Sequence, residues 1–263
     1  VGPLLPTDGG TIRHLAFVDL TYVSDTNADF GLFEKGGNTS NLQDISVSDV
    51  VLSSIDIQTQ AQRVGALVGY GNNMVLHGVR ASGVTVSSTG GDEVGILAGN
   101  LSTLSISDVS LNANSSAIGD GNANSVGGVA GRTNTVTALD VTVAADVAGA
   151  KSSGDSGALI GNISGIGSNE RIRVTSEASV EGAGTNVGGI LGFLDEGSVR
   201  DSYSRAMVES GNSELGGLIG KVGTGGPVSV SDVYFAGTIS PTNAQAGAIV
   251  GDTDSSTIIT YTD

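Results

Sequence analysis

The 263-residue chain has no cysteine and no tryptophan, only 4 prolines, and an aromatic content of 4%. The absence of cysteine excludes a disulfide framework and a thiolate metal site. No apolar run reaches the roughly 18 residues of a membrane-spanning helix. So few large side chains cannot fill a thick core. The composition therefore favours a thin core in which one small apolar motif is stacked many times.

Basic residues are also scarce, with 11 Lys and Arg against 27 Asp and Glu, which gives a formal net charge of −16. Nucleic acids and anionic membranes attract a positive field, so the charge argues against either as a partner. Known enzyme motifs are missing as well. The two histidines, His14 and His77, form no His-Glu-x-x-His motif, and the Gly220-Lys221 pair lacks the first glycine and the Ser/Thr of a phosphate-binding loop. The sequence predicts a protein that is not an enzyme.

Glycine, by contrast, is abundant, with 42 residues, and much of it lies in one repeated motif. The motif is apolar–Gly–small–aliphatic–aliphatic–Gly, with a degenerate first copy at Phe30–Phe33. From Gly31 to Gly247 the first glycines are 34, 30, 32, 30, 31, 28 and 31 residues apart. A near-constant period of this length indicates a solenoid. The paired glycines of the seven full copies are Gly65 and Gly69, Gly95 and Gly99, Gly127 and Gly131, Gly157 and Gly161, Gly188 and Gly192, Gly216 and Gly220, and Gly247 and Gly251.

A second motif accompanies the glycine motif and has apolar residues at its first, fourth and sixth positions, as in Ile106–Leu111. Apolar alternation is typical of a strand, and a change of parity at one fixed place predicts a bend. The third position is usually Asp, which tolerates unusual backbone angles. Stacking the motifs predicts a column of bend residues along the solenoid: His14, Asp44, Gly78, Asp108, Asp140, Arg171, Asp201, Asp232 and Thr260.

These motifs predict an all-β fold, a parallel β-helix (β-solenoid) of about eight coils of about 31 residues, with three short strands per coil. We expect one domain over residues 1–263, with a leading segment at 1–11, coils at 12–251 and the start of a further coil at 252–263. The chain is interpreted as a fragment of a larger protein. Two hypotheses account for the motif glycines, either positive φ at a corner or close approach of facing backbones, and the second is favoured.

The glycine motif Gly216–Gly220 with the later segment Val230–Gly237, and the motif Val187–Gly192 with Val199–Ser204, resemble the GLUG repeat of large bacterial surface proteins. The resemblance covers about residues 10–263. It implies a β-helical architecture and a place in an adhesin or in a non-catalytic part of a secreted protein. The chain departs from the repeat in having Asp where Asn is usual, and in having Tyr in the last coils only.

Three groups of side chains are candidates for function. Neighbouring Asp residues of the bend column could hold Ca²⁺ or act as an acid in glycan cleavage, or they could serve only the bend. The acidic loop clusters at 92–93, 195–196 and 252–254 could bind Ca²⁺ or be solvated. The outward-facing column that ends in Arg173, Tyr203 and Tyr234 could contact a sugar or a partner, or stabilise the stack.

The function predicted is a non-catalytic structural or adhesive segment at the bacterial cell surface, outside the cell, with no required cofactor. Its partner would be a glycan or protein of a host surface or matrix. Two alternatives stay open: a glycan-active β-helix enzyme, a lyase or hydrolase, and a calcium-stabilised stalk or surface-layer module.

Overall fold

The structure, a computed structural model, describes residues 9–25, 28–33, 42–184, 186–210, 214–242, 245–254 and 259–262. The described residues form an all-β, parallel solenoid, which confirms the predicted fold class. It has about seven turns of about 31 residues, one fewer than expected. No helix that is long and apolar enough to cross a membrane occurs in this part of the chain.

Strand lengths differ from the prediction of three short strands per coil, because several strands continue through a bend without interruption. The last turns keep three separate strands, whereas the middle turns fuse them into two. The strands are β1 Thr11–Ser24, β2 Leu42–Thr59, β3 Arg63–Val64, β4 Val68–His77, β5 Arg80–Ser88, β6 Glu93–Gly95, β7 Ala98–Leu111, β8 Ser116–Gly127, β9 Ala130–Val143, β10 Asp146–Gly157, β11 Ile160–Val174, β12 Ser179–Gly182, β13 Asn186–Gly188, β14 Leu191–Ser204, β15 Met207–Ser210, β16 Glu214–Gly216, β17 Ile219–Val222, β18 Val228–Phe235, β19 Thr238–Pro241, β20 Ala246–Gly247, β21 Val250–Thr253 and β22 Ile259–Thr262.

Each strand pairs in parallel with the equivalent strand one turn away, so residues of equal position form columns along the solenoid. Between β6 and β8, for example, Val94 pairs with Val126 and Gly95 with Gly127. The backbone of one turn thus supplies the hydrogen-bond partners of the next. Any side chain of one column lies about 4.8 Å from its neighbours in the turns above and below.

Burial alternates along each strand and changes parity at the bend, as β7 illustrates. Leu104 and Ile106 are buried before the bend, and Val109 and Leu111 are buried after it. Asp108 between them has φ of 50°, a left-handed conformation that turns two successive apolar pairs toward the same interior. The parity change detected in the sequence is this backbone bend.

The corner at the glycine motif is built on close approach of backbones rather than on positive φ. None of the paired motif glycines has a left-handed φ. A Cβ at Gly127 would overlap the carbonyl oxygen of Ala130 and lie 2.7 Å from the nitrogen of Gly161. The chain folds back on itself within four residues there, and only glycine leaves room for the two backbone segments.

Candidate functional site

Eight residues of the bend column share one position in successive turns and have positive φ. Strand register places them one above another, with φ between 47° and 62°. They are His14, Asp49, Gly78, Asp108, Asp140, Arg171, Asp201 and Asp232. The column serves the bend, since a left-handed residue is required at this position in every described turn.

Two members of the predicted column are corrected. Asp44 also has positive φ, but the pairing of Gln43 with Asn72 and of Ile45 with Met74 places it beside Asn73, in a separate column. Asp49 occupies the bend column in that turn. Thr260 pairs with Ser229 and therefore precedes the column, whose next position, Asp263, lies outside the described residues.

Opposite charges pair along the bend column and reduce repulsion between its carboxylates. Asp140 lies 3.2 Å from Nε of Arg171 and 3.5 Å from a guanidinium nitrogen of Arg173. Arg80 lies 3.6 Å from Asp108 one turn earlier. All these groups are partly exposed, so each pair contributes little to stability. No group of three or more His, Cys, Asp or Glu placed to hold a metal ion occurs in the described residues.

The bend role of the column predicts opposite effects for two substitutions at exposed Asp201, where φ is 47°. Asp201→Gly should change the free energy of unfolding by less than about 0.5 kcal/mol, because glycine accepts this φ and loses more entropy on folding. Asp201→Val should lower it by about 1–2 kcal/mol, because a β-branched residue is strained there. Urea denaturation followed by circular dichroism measures both. Equal losses for the two variants would contradict the assignment.

The predicted tyrosine column forms a small surface cluster near the last turns. The rings of Tyr203 and Tyr234 are stacked, with centroids 5.1 Å apart and an interplanar angle of 14°. The guanidinium of Arg205 lies 5.2 Å from the Tyr203 ring centroid and donates a 3.3 Å hydrogen bond to the Tyr234 hydroxyl. Tyr234 is 45% exposed, whereas Arg173, one turn before Tyr203, points its guanidinium toward Asp140. Residues 173, 203, 205 and 234 are called the tyrosine patch below.

Arg205 was not identified from the sequence, although it belongs to the tyrosine patch. It lies two residues after Tyr203, beyond the end of β14, where strand alternation no longer predicts side-chain direction. The structure shows it reaching back over the ring. Its spacing from Tyr203 was therefore the only signal available in the sequence.

The acidic loop clusters have protein partners within the described residues. Asp92 accepts a 2.8 Å hydrogen bond from the side-chain nitrogen of Asn124. Asp195 accepts one of 2.8 Å from the backbone N–H of Gly225. Asp252 and Asp254 lie 3.5 and 3.1 Å from the amine of Lys221. Backbone and side-chain donors thus satisfy oxygen atoms that the sequence offered as calcium ligands.

A polar seam, which sequence reasoning missed, runs beside the glycine corner. It consists of two columns, the residues just before and just after the glycine motif. In the first column lie Arg63, Glu93, Ser125, Asp155, Asn186 and Glu214. In the second lie Tyr70, Asn100, Arg132, Asn162, Phe193 and Lys221. The motif brings the two columns together, because its two halves lie against each other at the corner.

The most buried acid of the seam is Asp155, which is 8% exposed. Its two carboxylate oxygens accept hydrogen bonds of 2.5 Å from the amide nitrogens of Asn162 and Asn186. Burial raises the pKa of Asp155 to about 6, against the opposing effect of these bonds and of Arg132 and Lys221 at longer range. The amide oxygens of Asn162 and Asn186 are buried without a hydrogen-bond partner. Asp155 is therefore held by donors alone, in a site that disfavours its charge.

The other end of the seam opens into a surface groove with a volume of about 320 Å³. Arg63 lies 3.2 Å from Asp29 and 3.8 Å from Glu93, and its guanidinium is 4.1 Å from the Tyr70 ring centroid. Burial raises the pKa of Glu93, and the neighbouring charge of Asp92 adds to the rise. The groove therefore combines a stacked aromatic ring with charged and amide side chains.

The repeat, the parallel register and the columns together define the class of protein as a parallel β-solenoid. No protein-family model, curated protein or solved structure matches the chain.

Proposed function

We propose that this chain is a non-catalytic structural and adhesive β-solenoid segment of a bacterial extracellular surface protein, with repeats of the GLUG type. The repeated motif supports the repeat type, since a glycine-flanked aliphatic triplet is followed by the bend motif in turn after turn. A solenoid is quasi-one-dimensional, so adding turns lengthens it without changing its cross-section. A protein of this kind separates a contact surface from its anchor, and it presents side-chain columns to the medium.

The tyrosine patch is the observation that carries the adhesive part of the proposal. An exposed aromatic pair with a guanidinium above one ring offers both an apolar surface and hydrogen-bond donors, a combination enriched at recognition sites. Arg173, Tyr203 and Tyr234 recur at one turn's spacing, which suits a ligand that lies along the solenoid axis. A glycan chain or an extended segment of a matrix protein has this shape.

The test is a binding experiment with a double variant. Tyr203→Ala/Tyr234→Ala should lower the binding of the purified chain to immobilised host-matrix proteins and glycans at least tenfold, because the aromatic surface is lost. Arrays of these ligands and the adhesion of protein-coated beads measure the effect. The matched control is Ser110→Ala/Thr142→Ala, two positions of the same outward column nearer the middle of the solenoid.

Each outcome of this experiment has a distinct meaning. Binding that survives in the tyrosine variant would contradict the assignment of the patch. Binding by no surface ligand at all would contradict the adhesive function and leave only the spacer role. Release of reducing sugar from a bound glycan would contradict the non-catalytic assignment. A thermal melt of each variant verifies that the fold is retained.

A further inference from the structure

The groove of the polar seam lies apart from the tyrosine patch, in the second to fifth turns rather than the last. Its lining includes Tyr70, Glu93, Asn100, Arg132 and Asn134. Tyr70, Asn100 and Arg132 are consecutive members of one outward column. Three turns thus contribute neighbouring side chains to one concave surface.

The charges of the groove are paired within the protein, with one exception. The guanidinium of Arg63 is engaged by Asp29 and Glu93, at 3.2 and 3.8 Å. Asp92 accepts the hydrogen bond from Asn124. Arg132 is exposed and acts on Glu93 only through longer-range electrostatics, with no ion pair to another described residue. The groove therefore offers one guanidinium whose donors are available to a ligand.

The side chains around Arg132 determine the chemistry that would fit. Asn100 lies one turn before it in the same column, and Asn134 lies two residues after it on the same face. Carboxamides both donate and accept hydrogen bonds, as vicinal hydroxyl groups do. A guanidinium binds a carboxylate with two parallel hydrogen bonds. The volume of about 320 Å³ lies at the lower end of small-molecule sites.

We propose that this groove binds a carboxylated saccharide, with Arg132 contacting the carboxylate and Asn100 and Asn134 contacting ring hydroxyls. The protein's net charge of −16 opposes an anionic ligand at long range. At physiological ionic strength that field is screened beyond about 8 Å, so the contacts in the groove decide binding. The site is separate from the tyrosine patch and does not depend on it.

The experiment is a titration of the whole chain with digalacturonate at 0.15 M salt, about the physiological value, followed by calorimetry or by ligand-observed NMR. Arg132→Gln should weaken binding at least tenfold, because the bidentate contact with the carboxylate is lost. Arg132 is exposed, so this variant should melt at the temperature of the unmodified chain. Asn134→Ala is a second variant, with a smaller expected loss of about threefold. Arg173→Gln, which removes a guanidinium from the tyrosine patch, is the matched control and should bind normally.

Two comparison ligands distinguish the chemistry. The neutral disaccharide of the same linkage should bind at least tenfold more weakly than digalacturonate, and acetate should not compete at equal concentration. Equal affinity for the neutral sugar would overturn the carboxylate assignment, and competition by acetate would overturn the saccharide assignment. Loss of binding in Arg173→Gln but not in Arg132→Gln would move the ligand to the tyrosine patch and overturn the site. Absence of digalacturonate binding would overturn the proposal, while the adhesion assay with the tyrosine variant would be unaffected.

Discussion

Replacing Gly127 with alanine should lower the free energy of unfolding by at least about 3 kcal/mol, the largest effect expected for a single methyl group in this chain. The new Cβ would overlap the carbonyl oxygen of Ala130 and press on the nitrogen of Gly161 in the next turn. Both are backbone atoms that hold the turns together, so neither can move without breaking the parallel ladder. Urea denaturation followed by far-ultraviolet circular dichroism measures the loss.

Gly78→Ala is the matched control, because it separates crowding from backbone conformation. Gly78 has φ of 62°, and the nearest atom to its added Cβ is a side-chain oxygen of Asp49 at 2.9 Å, which can rotate away. Alanine there should cost only about 1–2 kcal/mol, from the left-handed φ. A loss at Gly127 no greater than that at Gly78 would contradict the crowded corner.

The contrast between these glycines shows why the fold could be predicted from the sequence. A period near 31 residues requires one turn per repeat, and the constant position of Gly127 and its equivalents places the corner. The parity change at Asp108 likewise places the bend. Stacking multiplies each signal, since an unsuitable residue in one turn disturbs two neighbours. Local pattern and global architecture therefore agree in this protein.

The alignment error in the second turn has a physical origin in the same pattern. Leu42–Val47 and Val47–Leu52 both have apolar residues at positions one, four and six, with Asp44 or Asp49 at the third. Both aspartates are in fact left-handed bends, so the motif was correct twice and the choice between the copies was wrong. The distance to the glycine motif distinguishes them. Asp49 lies 18 residues after Gly31, and Asp108 lies 13 after Gly95, so the longer first turn obscured the register.

The polar seam could not be predicted because it depends on which residues the corner brings together. Asp155 and Asn162 are seven residues apart on opposite sides of a glycine motif, and nothing in strand alternation indicates that they meet. One signal was present in the sequence. The position before each motif is usually polar, as at Arg63 and Glu93, although it precedes a buried apolar residue.

Asp155→Asn should raise the free energy of unfolding above pH 7 and leave it nearly unchanged near pH 4. The pKa of this carboxyl is about 6 in the folded chain against 3.8 for the model value. Its stabilising contribution is therefore fully present below pH 3.8 and is lost as the pH rises through about 6, which corresponds to about 3 kcal/mol. Asparagine has no charge to bury, so the variant avoids this loss.

The hydrogen bonds around residue 155 permit the substitution. Asn162 and Asn186 both donate to Asp155, while their own amide oxygens are buried and unpartnered. One of these amides can rotate to accept from the new side-chain N–H of an asparagine, at no cost in existing bonds except the one exchanged. The net gain expected at pH 8 is about 2 kcal/mol, since a hydrogen bond to a charged acceptor is replaced by weaker neutral ones.

Urea denaturation of both proteins between pH 4 and pH 8 measures the difference, which cancels the contributions of other buried acids such as Glu93, whose pKa is also raised. The difference should grow through the region around pH 6. Asp201→Asn, at an exposed position of the bend column, is the control and should show no such pH-dependent difference. A parallel pair of curves for Asp155→Asn and the unmodified chain, or a variant less stable at pH 8, would contradict the buried charge. In that case donors to the carboxylate, rather than its burial, would govern the seam, and the fully satisfied acid would stabilise the corner at neutral pH.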